Sequence, residues 1–410
     1  MTIFMPEFTH RINRIPSSPT IALINKTNLL KQQGVDVIGL GAGEPDFDTP
    51  DFIKAAAIQA INAGQTKYTA VEGTPALRKA ISNKFKQENN LDYNVDQILV
   101  SVGAKHSLYN AIQVLLEKDD EALIPAPYWV SYPAMIDLSD ARSVIINTTK
   151  QEDFKITPAM LEENITLRTK LIFLNSPSNP SGKIYTKPEL LALAEVLLKH
   201  PKIYILSDDI YEHIIWPGHK FHNILTACRD ELSAEDFTRL YNRTVVINGV
   251  SKAYSMTGWR IGYAAGNKEI IKAMQKLQSQ CTSNPCSIAQ AAACEALTNP
   301  KSYDFIQEML KQFKIRHDYV YETVNKMPGL SVLPAEGAFY SFIDCTGAIK
   351  NTGCENDLDF SEKLLDIANV ALVAGSPFGT PNFLRLSYAT SMQNLEKALA
   401  RIKKFLDNNS

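Results

Sequence analysis

A lysine and an arginine follow a short apolar run in the segment NGVSKAYSMTGWRIGY, residues 248–263. Lys252 comes shortly after the β-type residues 244–247, and Arg260 stands eight residues further on. A lysine amine has an ordinary pKa of about 10.4 and is a poor nucleophile at neutral pH, unless burial, cationic neighbours or conversion to an imine activates it. The segment therefore suggests a lysine that forms a Schiff base, against the alternative of a solvated cation on a loop.

Four other apolar runs end in polar or glycine-containing clusters. The clusters are Gly103-Ala104-Lys105, Tyr128-Trp129, residues 175–182 (NSPSNPSG) and Asp208 with Tyr211. Ligands of open α/β sheets bind beyond the carboxyl ends of the strands. The five strand ends, including the one before Lys252, therefore predict a single shared site.

One part of this predicted site suits a phosphate group. The glycine and its small neighbour, Gly103-Ala104, stand at a predicted helix start, where free amide N–H groups and a partial positive charge attract an anion. Arg260 can contact the same phosphate with its planar guanidinium group. Ser251 and Tyr68 can donate hydroxyl groups. These residue types predict a phosphorylated ligand.

The other part suits a planar, electron-poor ring. Trp129 offers a flat face for stacking. Asp208 can keep a ring nitrogen protonated, while Asn179 and Tyr211 can donate hydrogen bonds to a phenolic oxygen. Lys252 is then left to form the Schiff base with an aldehyde of the same ligand.

The elements that must position these residues follow from the hydrophobic pattern. The predicted strands are residues 98–102, 122–124, 144–146, 171–174, 204–206, 244–247 and 261–265. Several are apolar on both faces, and amphipathic helical patterns such as 107–116 and 188–198 lie between them, which predicts a mostly parallel α/β sheet.

The pattern changes after about residue 300. A long helix is predicted over 302–327, followed by strands at 339–343, 370–373 and 383–386 and by a final helix at 395–405. These elements predict a smaller α+β domain over residues 301–410 beside a large cofactor-binding domain over 46–300. Residues 1–45 are expected to form an arm and part of the small domain.

Composition excludes several classes of protein. The 410-residue chain is 45% hydrophobic and 21% charged, which is ordinary for a globular protein. Its formal net charge of -2 does not indicate a basic surface that would bind nucleic acid or an anionic membrane. No apolar run reaches the roughly 20 residues that span a bilayer, and the N-terminus lacks a secretory apolar core, so the protein is expected in the cytoplasm. The six cysteines and seven histidines show no metal-ligand spacing, and no metal is predicted.

Eight motifs together resemble those of fold-type I pyridoxal-phosphate enzymes, and among these the class I aminotransferases of the bacterial aspartate aminotransferase subgroup. The motifs are GAGEPDFDTP (41–50), TKYT (66–69), GAKHSLYN (103–110), PYWVSYP (127–133), NSPSNPSG (175–182), SDDIYEH (207–213), SKAYSMTGWRIGY (251–263) and LRLSYATS (384–391). They occur in the family's order over nearly the whole chain. The resemblance implies a large domain with a mostly parallel seven-stranded sheet and a smaller α+β domain.

The resemblance also implies roles for individual residues. Lys252 carries pyridoxal 5'-phosphate, Asp208 pairs with its ring nitrogen, and Arg260 binds its phosphate. The substrate's α-carboxylate is taken by Arg385, and the resemblance places Tyr68 in the active site of a second subunit, which implies a homodimer.

Substrate contacts are implied in the same way. The further predicted substrate-binding residues are Gly43, Trp129, Asn179, Lys105 and Thr20, of which Lys105 and Thr20 match positions that bind the distal carboxylate in aspartate-using members of the subgroup. Cis bonds are implied at Asn179-Pro180 and Ala126-Pro127. The implied reaction moves the amino group of L-aspartate to 2-oxoglutarate.

Three positions depart from the family's usual pattern. Asp209 stands where glutamate is common, Ser181 where threonine is common, and Gly249 where some relatives have a phosphate-binding serine. The last difference makes Ser251 and the helix amides more important for a phosphate.

Other functions stay open at this point. A glutamate–prephenate or broader-specificity aminotransferase and a carbon–sulfur lyase would use the same scaffold, and a cofactor-binding regulator would lack catalysis altogether. The segment GAGEPD also matches a dinucleotide-binding GxGxxG loop in part, but Asp46 replaces the third glycine and Pro45 interrupts the helix start.

Overall fold

The computed structural model describes residues 7–409, which form three sheets surrounded by helices. The strands are β1 Ile38–Gly39, β2 Ile98–Ser101, β3 Glu121–Pro125, β4 Arg142–Ile146, β5 Thr169–Asn175, β6 Tyr204–Asp208, β7 Thr244–Gly249, β8 Gly262–Ala265, β9 Ser331–Val332, β10 Tyr340–Asp344, β11 Val370–Ala371, β12 Val373–Ala374 and β13 Phe383–Ser387. The α-helices are α1 His10–Asn13, α2 Pro19–Gln32, α3 Asp51–Asn62, α4 Pro75–Asn89, α5 Ala104–Leu115, α6 Tyr132–Asp137, α7 Pro158–Asn164, α8 Lys187–Lys199, α9 Ile224–Cys228, α10 Ala234–Tyr241, α11 Lys268–Cys281, α12 Ser287–Thr298, α13 Lys301–Val324, α14 Thr346–Asn351, α15 Asp357–Ala368 and α16 Met392–Asn409.

The largest sheet has seven strands in the order β2-β8-β7-β6-β5-β3-β4, and every adjacent pair is parallel except the two that involve β8. Side chains of β7 alternate between two cores, with Val246 in one and Val245 and Ile247 in the other. Burial on both faces explains why these strands are continuous apolar runs. The seven strands predicted from the sequence are the seven strands of this sheet, with ends that agree within two residues, so the predicted fold class is confirmed.

A smaller antiparallel sheet has the order β12-β13-β10-β9. The long helix α13 and the final helix α16 contribute apolar side chains to its core, among them Phe313 and Leu399. The single strand predicted over 370–373 is wrong in one respect, because the segment divides into β11 and β12. β11 pairs with β1, whereas β12 pairs with β13, so the two halves belong to different sheets.

The N-terminal part of the chain contacts the C-terminal part directly. Ile38 and Gly39 of β1 pair in parallel with Val370 and Ala371 of β11. The ammonium group of Lys26 in α2 lies 3.2 Å from a carboxylate oxygen of Glu362 in α15. These contacts agree with the expected arm, although the domain boundaries at 45 and 300 stay a prediction and residues 1–6 lie outside the described part.

Several smaller sequence predictions can be compared with the structure. The peptide bonds Ala126-Pro127 and Asn179-Pro180 are cis as predicted, and Ser176-Pro177, which was not predicted, is cis as well. Cys228, Cys345 and Cys354 are buried free thiols, whereas two of the other three cysteines are exposed, which the sequence did not distinguish. Within residues 7–409, no helix combines the length and apolar character needed to cross a bilayer.

Candidate active site

A cavity of about 370 Å³ opens beyond the carboxyl ends of the parallel strands of the large sheet. The predicted site residues that line it are Thr20, Gly43, Ala104, Lys105, Trp129, Asn179, Asp208, Tyr211, Ser251, Lys252, Arg260 and Arg385. Its volume falls in the usual range for small-molecule sites, roughly 300 to 1,000 Å³. The structure therefore brings together almost all residues that the sequence predicted for the site.

Lys252 lines this cavity. Its ammonium group donates a hydrogen bond to the backbone carbonyl of Gly43. Burial lowers the pKa of Lys252 to about 8, and the nearby cations Arg260 and Arg385 add to this effect, while Glu44 and Asp208 oppose it. A substantial fraction of the amine is therefore neutral near pH 8, as nucleophilic attack on an aldehyde requires.

Asp208 is a buried carboxylate at the end of β6. The hydroxyl group of Tyr132 donates to its Oδ2 at 2.6 Å, and Asn175 Nδ2 donates to its backbone carbonyl at 2.8 Å. Burial raises the pKa of Asp208 to about 6, against the lowering effect of the hydrogen bonds from Tyr132 and from the backbone N–H of Ile210 and of the charge on Lys252. A buried anion of this kind is stabilised by a cationic partner, such as a protonated ring nitrogen.

The start of helix α5 is shaped to hold an anion. Gly103 precedes the helix with φ = 83°, and a Cβ at this position would collide with the guanidinium group of Arg260. The first amide N–H groups of a helix have no acceptor within the helix, so those of Ala104 and Lys105 are available to a ligand. Gly103 itself is not part of the cavity lining, although it creates the space in which Arg260 approaches the helix start.

Arg385 is fixed on the opposite side of the cavity by strand β13. Its guanidinium group donates to Asn179 Oδ1 at 3.0 Å and to the backbone carbonyl of Gly41 at 2.7 Å. The same group lies 4.6 Å from the ring centre of Tyr340 and 5.0 Å from that of Phe378. Because Arg385 is only 2% exposed and its Nε has no partner among the described residues, it is a rigid, desolvated cation that can receive a carboxylate.

A second cation, Lys105, projects into the cavity from the first turn of α5. Its ammonium nitrogen lies 4.7 Å from the ring centre of Trp129. Partial burial, and secondarily Arg260, lowers the pKa of Lys105. Thr20, the second residue of α2, lines the same cavity. Lys105, Trp129 and Thr20 therefore line the same cavity, as predicted.

Three residues near the site were not singled out from the sequence. Tyr132 and Asn175 hold Asp208, and both lie inside motifs that were recognised. Tyr340 lines the cavity, and its hydroxyl oxygen lies 2.8 Å from that of Tyr211. Tyr340 lies in a strand whose apolar pattern predicts core residues, so nothing in the sequence indicated that Tyr340 lines the cavity.

Tyr68 does not reach the cavity of its own chain. It is 91% exposed on the loop before helix α4 and is absent from the cavity lining. Its exposure agrees with a role in a second subunit, which stays a prediction.

One group of potential metal ligands occurs among the described residues, namely Glu88, Glu212 and His213. The ammonium group of Lys84 already forms an ion pair with Glu212, and Asn89 and Asn248 donate to the same carboxylate at 3.1 and 2.8 Å. Glu212 is therefore neutralised and hydrogen-bonded without a metal ion.

The charges of the cavity fit a phosphorylated cofactor. Four cationic side chains line it, Lys105, Lys252, Arg260 and Arg385, against the two carboxylates Glu44 and Asp208. The excess of positive charge attracts a phosphate and a carboxylate, while the Asp208 carboxylate can accept a hydrogen bond from a protonated ring nitrogen. The donor set therefore suits pyridoxal phosphate in both charge and hydrogen bonding.

Comparison with known proteins gives the family. A family model described as aminotransferase class I and II matches residues 35–402. The aspartate/prephenate aminotransferase of Nitrosomonas europaea is 48% identical over 406 residues, 98% of this chain and 100% of that protein. The protein of the same name from Cereibacter sphaeroides is 50% identical over 398 residues, 96% of each chain.

Comparison with solved structures agrees with this family. The aspartate aminotransferase of Rhizobium meliloti superimposes with a TM-score of 0.92 at 45% identity, over 99% of this chain and 100% of that one. The aspartate aminotransferase of Thermus thermophilus with maleate gives 0.90 at 39% identity, over 98% and 100% of the two chains. The chain therefore belongs to the class I and II aminotransferase family and is a pyridoxal-phosphate-dependent enzyme with the fold-type I architecture.

Proposed function

We propose that this enzyme binds pyridoxal 5'-phosphate through Lys252 and transfers the amino group of L-aspartate to 2-oxoglutarate, which gives oxaloacetate and L-glutamate. The single observation that carries the proposal is the pair of cations on separate elements of one cavity, Arg385 from β13 and Lys105 from α5. A dicarboxylate amino acid needs a partner for each carboxylate, because a desolvated, unpaired carboxylate is unfavourable.

The cofactor is assigned to the side of the cavity formed by the large sheet. The amides at the start of α5, Arg260 and Ser251 would hold the phosphate, and Trp129 would stack on the ring. Asp208 would hold the ring nitrogen, while Asn179 and Tyr211 would donate to the phenolic oxygen. Bound pyridoxal phosphate supplies an aldehyde that condenses with amines and a protonated ring that accepts electron density from the substrate's Cα.

The remaining chemistry belongs to side chains of this protein. Arg385 binds the α-carboxylate and fixes the orientation of the Cα–H bond. The amine of Lys252, with its pKa lowered to about 8, is suited to accept the Cα proton and to return a proton as a general acid–base group at neutral pH. Asp208 keeps the ring nitrogen protonated by staying ionised beside it.

A second acceptor, prephenate, is supported by the names of the relatives and by the lining of the cavity. Relatives at 48–50% identity are named aspartate/prephenate aminotransferases. The apolar side chains Ile21, Ile24, Leu108 and Val130 share the cavity with Lys105 and give a non-aromatic ring a hydrophobic surface. The two carboxylates of prephenate would use the same two cations as aspartate.

The test uses purified protein loaded with pyridoxal phosphate. L-Aspartate alone should abolish the cofactor's visible absorption band and release oxaloacetate once per site, and 2-oxoglutarate should restore the band. Parallel reactions with prephenate as acceptor measure the second candidate. If no amino acid changes the spectrum, the proposal that this protein transfers amino groups is wrong.

The same experiment separates amino transfer from carbon–sulfur lysis. A lyase releases ammonia and pyruvate from a cysteine conjugate with no 2-oxo acid present, whereas an aminotransferase stops after one turnover without an acceptor. Continuous ammonia release without an acceptor would favour the lyase.

A further inference from the structure

Two buried tyrosine hydroxyl groups connect the two sides of the cavity. Tyr211 follows β6 of the large sheet, Tyr340 begins β10 of the four-stranded sheet, and their hydroxyl oxygens lie 2.8 Å apart. The two residues are 3% and 0% exposed. From this contact we infer that Tyr340 is a positioning residue, which donates its hydroxyl proton to Tyr211 and so directs the single hydroxyl proton of Tyr211 into the cavity.

The direction of the hydrogen bond follows from counting protons. A tyrosine hydroxyl group has one proton to donate and lone pairs with which it accepts. The inference rests on the proposed function, in which Tyr211 donates to the phenolic oxygen of the bound cofactor. Tyr211 then has no proton left for Tyr340, so the 2.8 Å contact requires Tyr340 to be the donor.

The surroundings of Tyr340 favour this donor role. The guanidinium group of Arg385 lies 4.6 Å from its ring centre. A nearby cation makes a phenol more acidic and therefore a stronger donor. Burial raises the pKa of Tyr340, and Arg385 opposes that rise. Donation from Tyr340 also polarises the Tyr211 hydroxyl and strengthens its own donation to a ligand.

Tyr340 has a second contact on the substrate side, which its ring provides and its hydroxyl group does not. The ring lies against the guanidinium group of Arg385 and supports it. Replacing tyrosine by phenylalanine removes the hydroxyl group and keeps the ring face. Tyr340→Phe therefore separates the positioning of Tyr211 from the support of Arg385.

The experiment follows the pH midpoint of the visible absorption change in the cofactor-loaded protein. The deprotonated chromophore carries more negative charge and is stabilised by hydrogen-bond donors, so a weaker donor raises the midpoint. For Tyr340→Phe we expect an upward shift of roughly 0.3 to 1 pH unit and a kcat lowered roughly two- to tenfold. The KM for aspartate should change less than about twofold, because the ring beneath Arg385 remains.

A double-mutant cycle tests whether Tyr340 acts through Tyr211. If it does, Tyr211→Phe/Tyr340→Phe should have the same midpoint as Tyr211→Phe alone. Additive shifts would overturn the inference. Tyr340→Leu, which also removes the ring, should raise the KM for aspartate, unlike Tyr340→Phe.

Tyr388→Phe is the matched control. Tyr388 is another fully buried tyrosine, and its hydroxyl group is 3.5 Å from the backbone carbonyl of Ala338, away from the cavity lining. We expect no shift of the midpoint in this variant, and a shift equal to that of Tyr340→Phe would contradict a specific role for Tyr340.

Failure of the inference differs from failure of the proposed function. An unchanged midpoint in Tyr340→Phe, in a protein that transfers amino groups normally before substitution, rejects the positioning role alone. The proposed function and the inference are rejected together if the unsubstituted protein takes up no cofactor, or if no amino acid changes the cofactor's visible absorption band.

Discussion

The two sides of the active-site cavity are built in different ways. The side formed by the large sheet takes Asn175, Asp208 and Lys252 from segments at or just beyond the ends of adjacent parallel strands. The opposite side takes its residues from parts of the chain that are hundreds of residues apart, namely Gly43 and Arg385. Parallel strands bring their carboxyl ends to one edge automatically, whereas the second side exists only because the N-terminal and C-terminal segments pack together.

The difference has a chemical counterpart. On the sheet side, burial moves the pKa of Asp208 up to about 6 and that of Lys252 down to about 8. On the opposite side, burial also lowers the pKa of Arg385, but a guanidinium group stays charged in proteins, and this one is held by hydrogen bonds and aromatic rings. We therefore expect substitutions of the proton-transfer and cofactor-binding residues on the sheet side to abolish the reaction of every substrate. Substitution of Lys105, the cation proposed for the distal carboxylate, should instead change which substrates react.

The largest effect is expected for Lys252. Lys252→Ala should lower kcat by at least roughly 10² to 10⁴-fold for all amino donors, because a positioned proton-transfer group contributes that much. Lys252→Arg is the matched control, since it keeps the positive charge and cannot form a Schiff base. Stopped-flow measurement of the cofactor's absorption with aspartate gives the rate, and a wild-type rate in either variant would exclude Lys252 from the reaction.

The same lysine should destabilise the cofactor-free protein near neutral pH. The folded-state pKa of Lys252 is about 8, below its ordinary value of 10.5, so folding is penalised at pH below 8 and the penalty disappears as pH rises through the window from 8 to 10.5. Lys252→Met should stabilise the cofactor-free protein by at most about 3 kcal/mol at pH 7 and by much less at pH 10. Urea unfolding at both pH values measures this, and a stabilisation independent of pH would contradict it.

A smaller and selective effect is expected for Lys105. Lys105→Ala should lower kcat/KM for aspartate and glutamate by about 1.5 to 3 kcal/mol, roughly 10 to 150-fold, because a charge-assisted hydrogen bond to the distal carboxylate is lost. Alanine and aromatic donors lack that carboxylate and serve as the internal control. Equal losses for acidic and neutral donors would show that Lys105 has a structural role instead.

The smallest effect is expected for Tyr68, which lies outside the cavity of its own chain. If Tyr68 reaches the phosphate of a second subunit in a homodimer, Tyr68→Phe should weaken cofactor retention roughly two- to tenfold through the loss of one hydrogen bond. Dialysis followed by absorption spectroscopy measures retention. Tyr303→Phe, another exposed tyrosine, is the control, and equal retention in all three proteins would remove Tyr68 from the site.

Much of the sheet side could be predicted from the sequence. The apolar runs identified all seven strands, and the residues after five of them, such as Lys252, were correctly expected at one edge because strand direction fixes where each loop emerges. The prediction was weaker where a residue's partner comes from another element. Tyr132 lay within a recognised motif, yet its hydrogen bond to Asp208 depends on the packing of α6 against the sheet.

The sequence by itself determined the strand pattern, the charged and glycine residues at the strand ends and, through eight motifs, the family. Only the tertiary structure decided that residues 370–373 divide between two sheets, that Tyr340 contacts Tyr211, and that Arg385 lies over an aromatic ring. The physical reason is the range of the interactions. Hydrophobic periodicity is a local property of the chain, whereas a contact between residues 129 positions apart depends on how two separately formed sheets pack around one cavity.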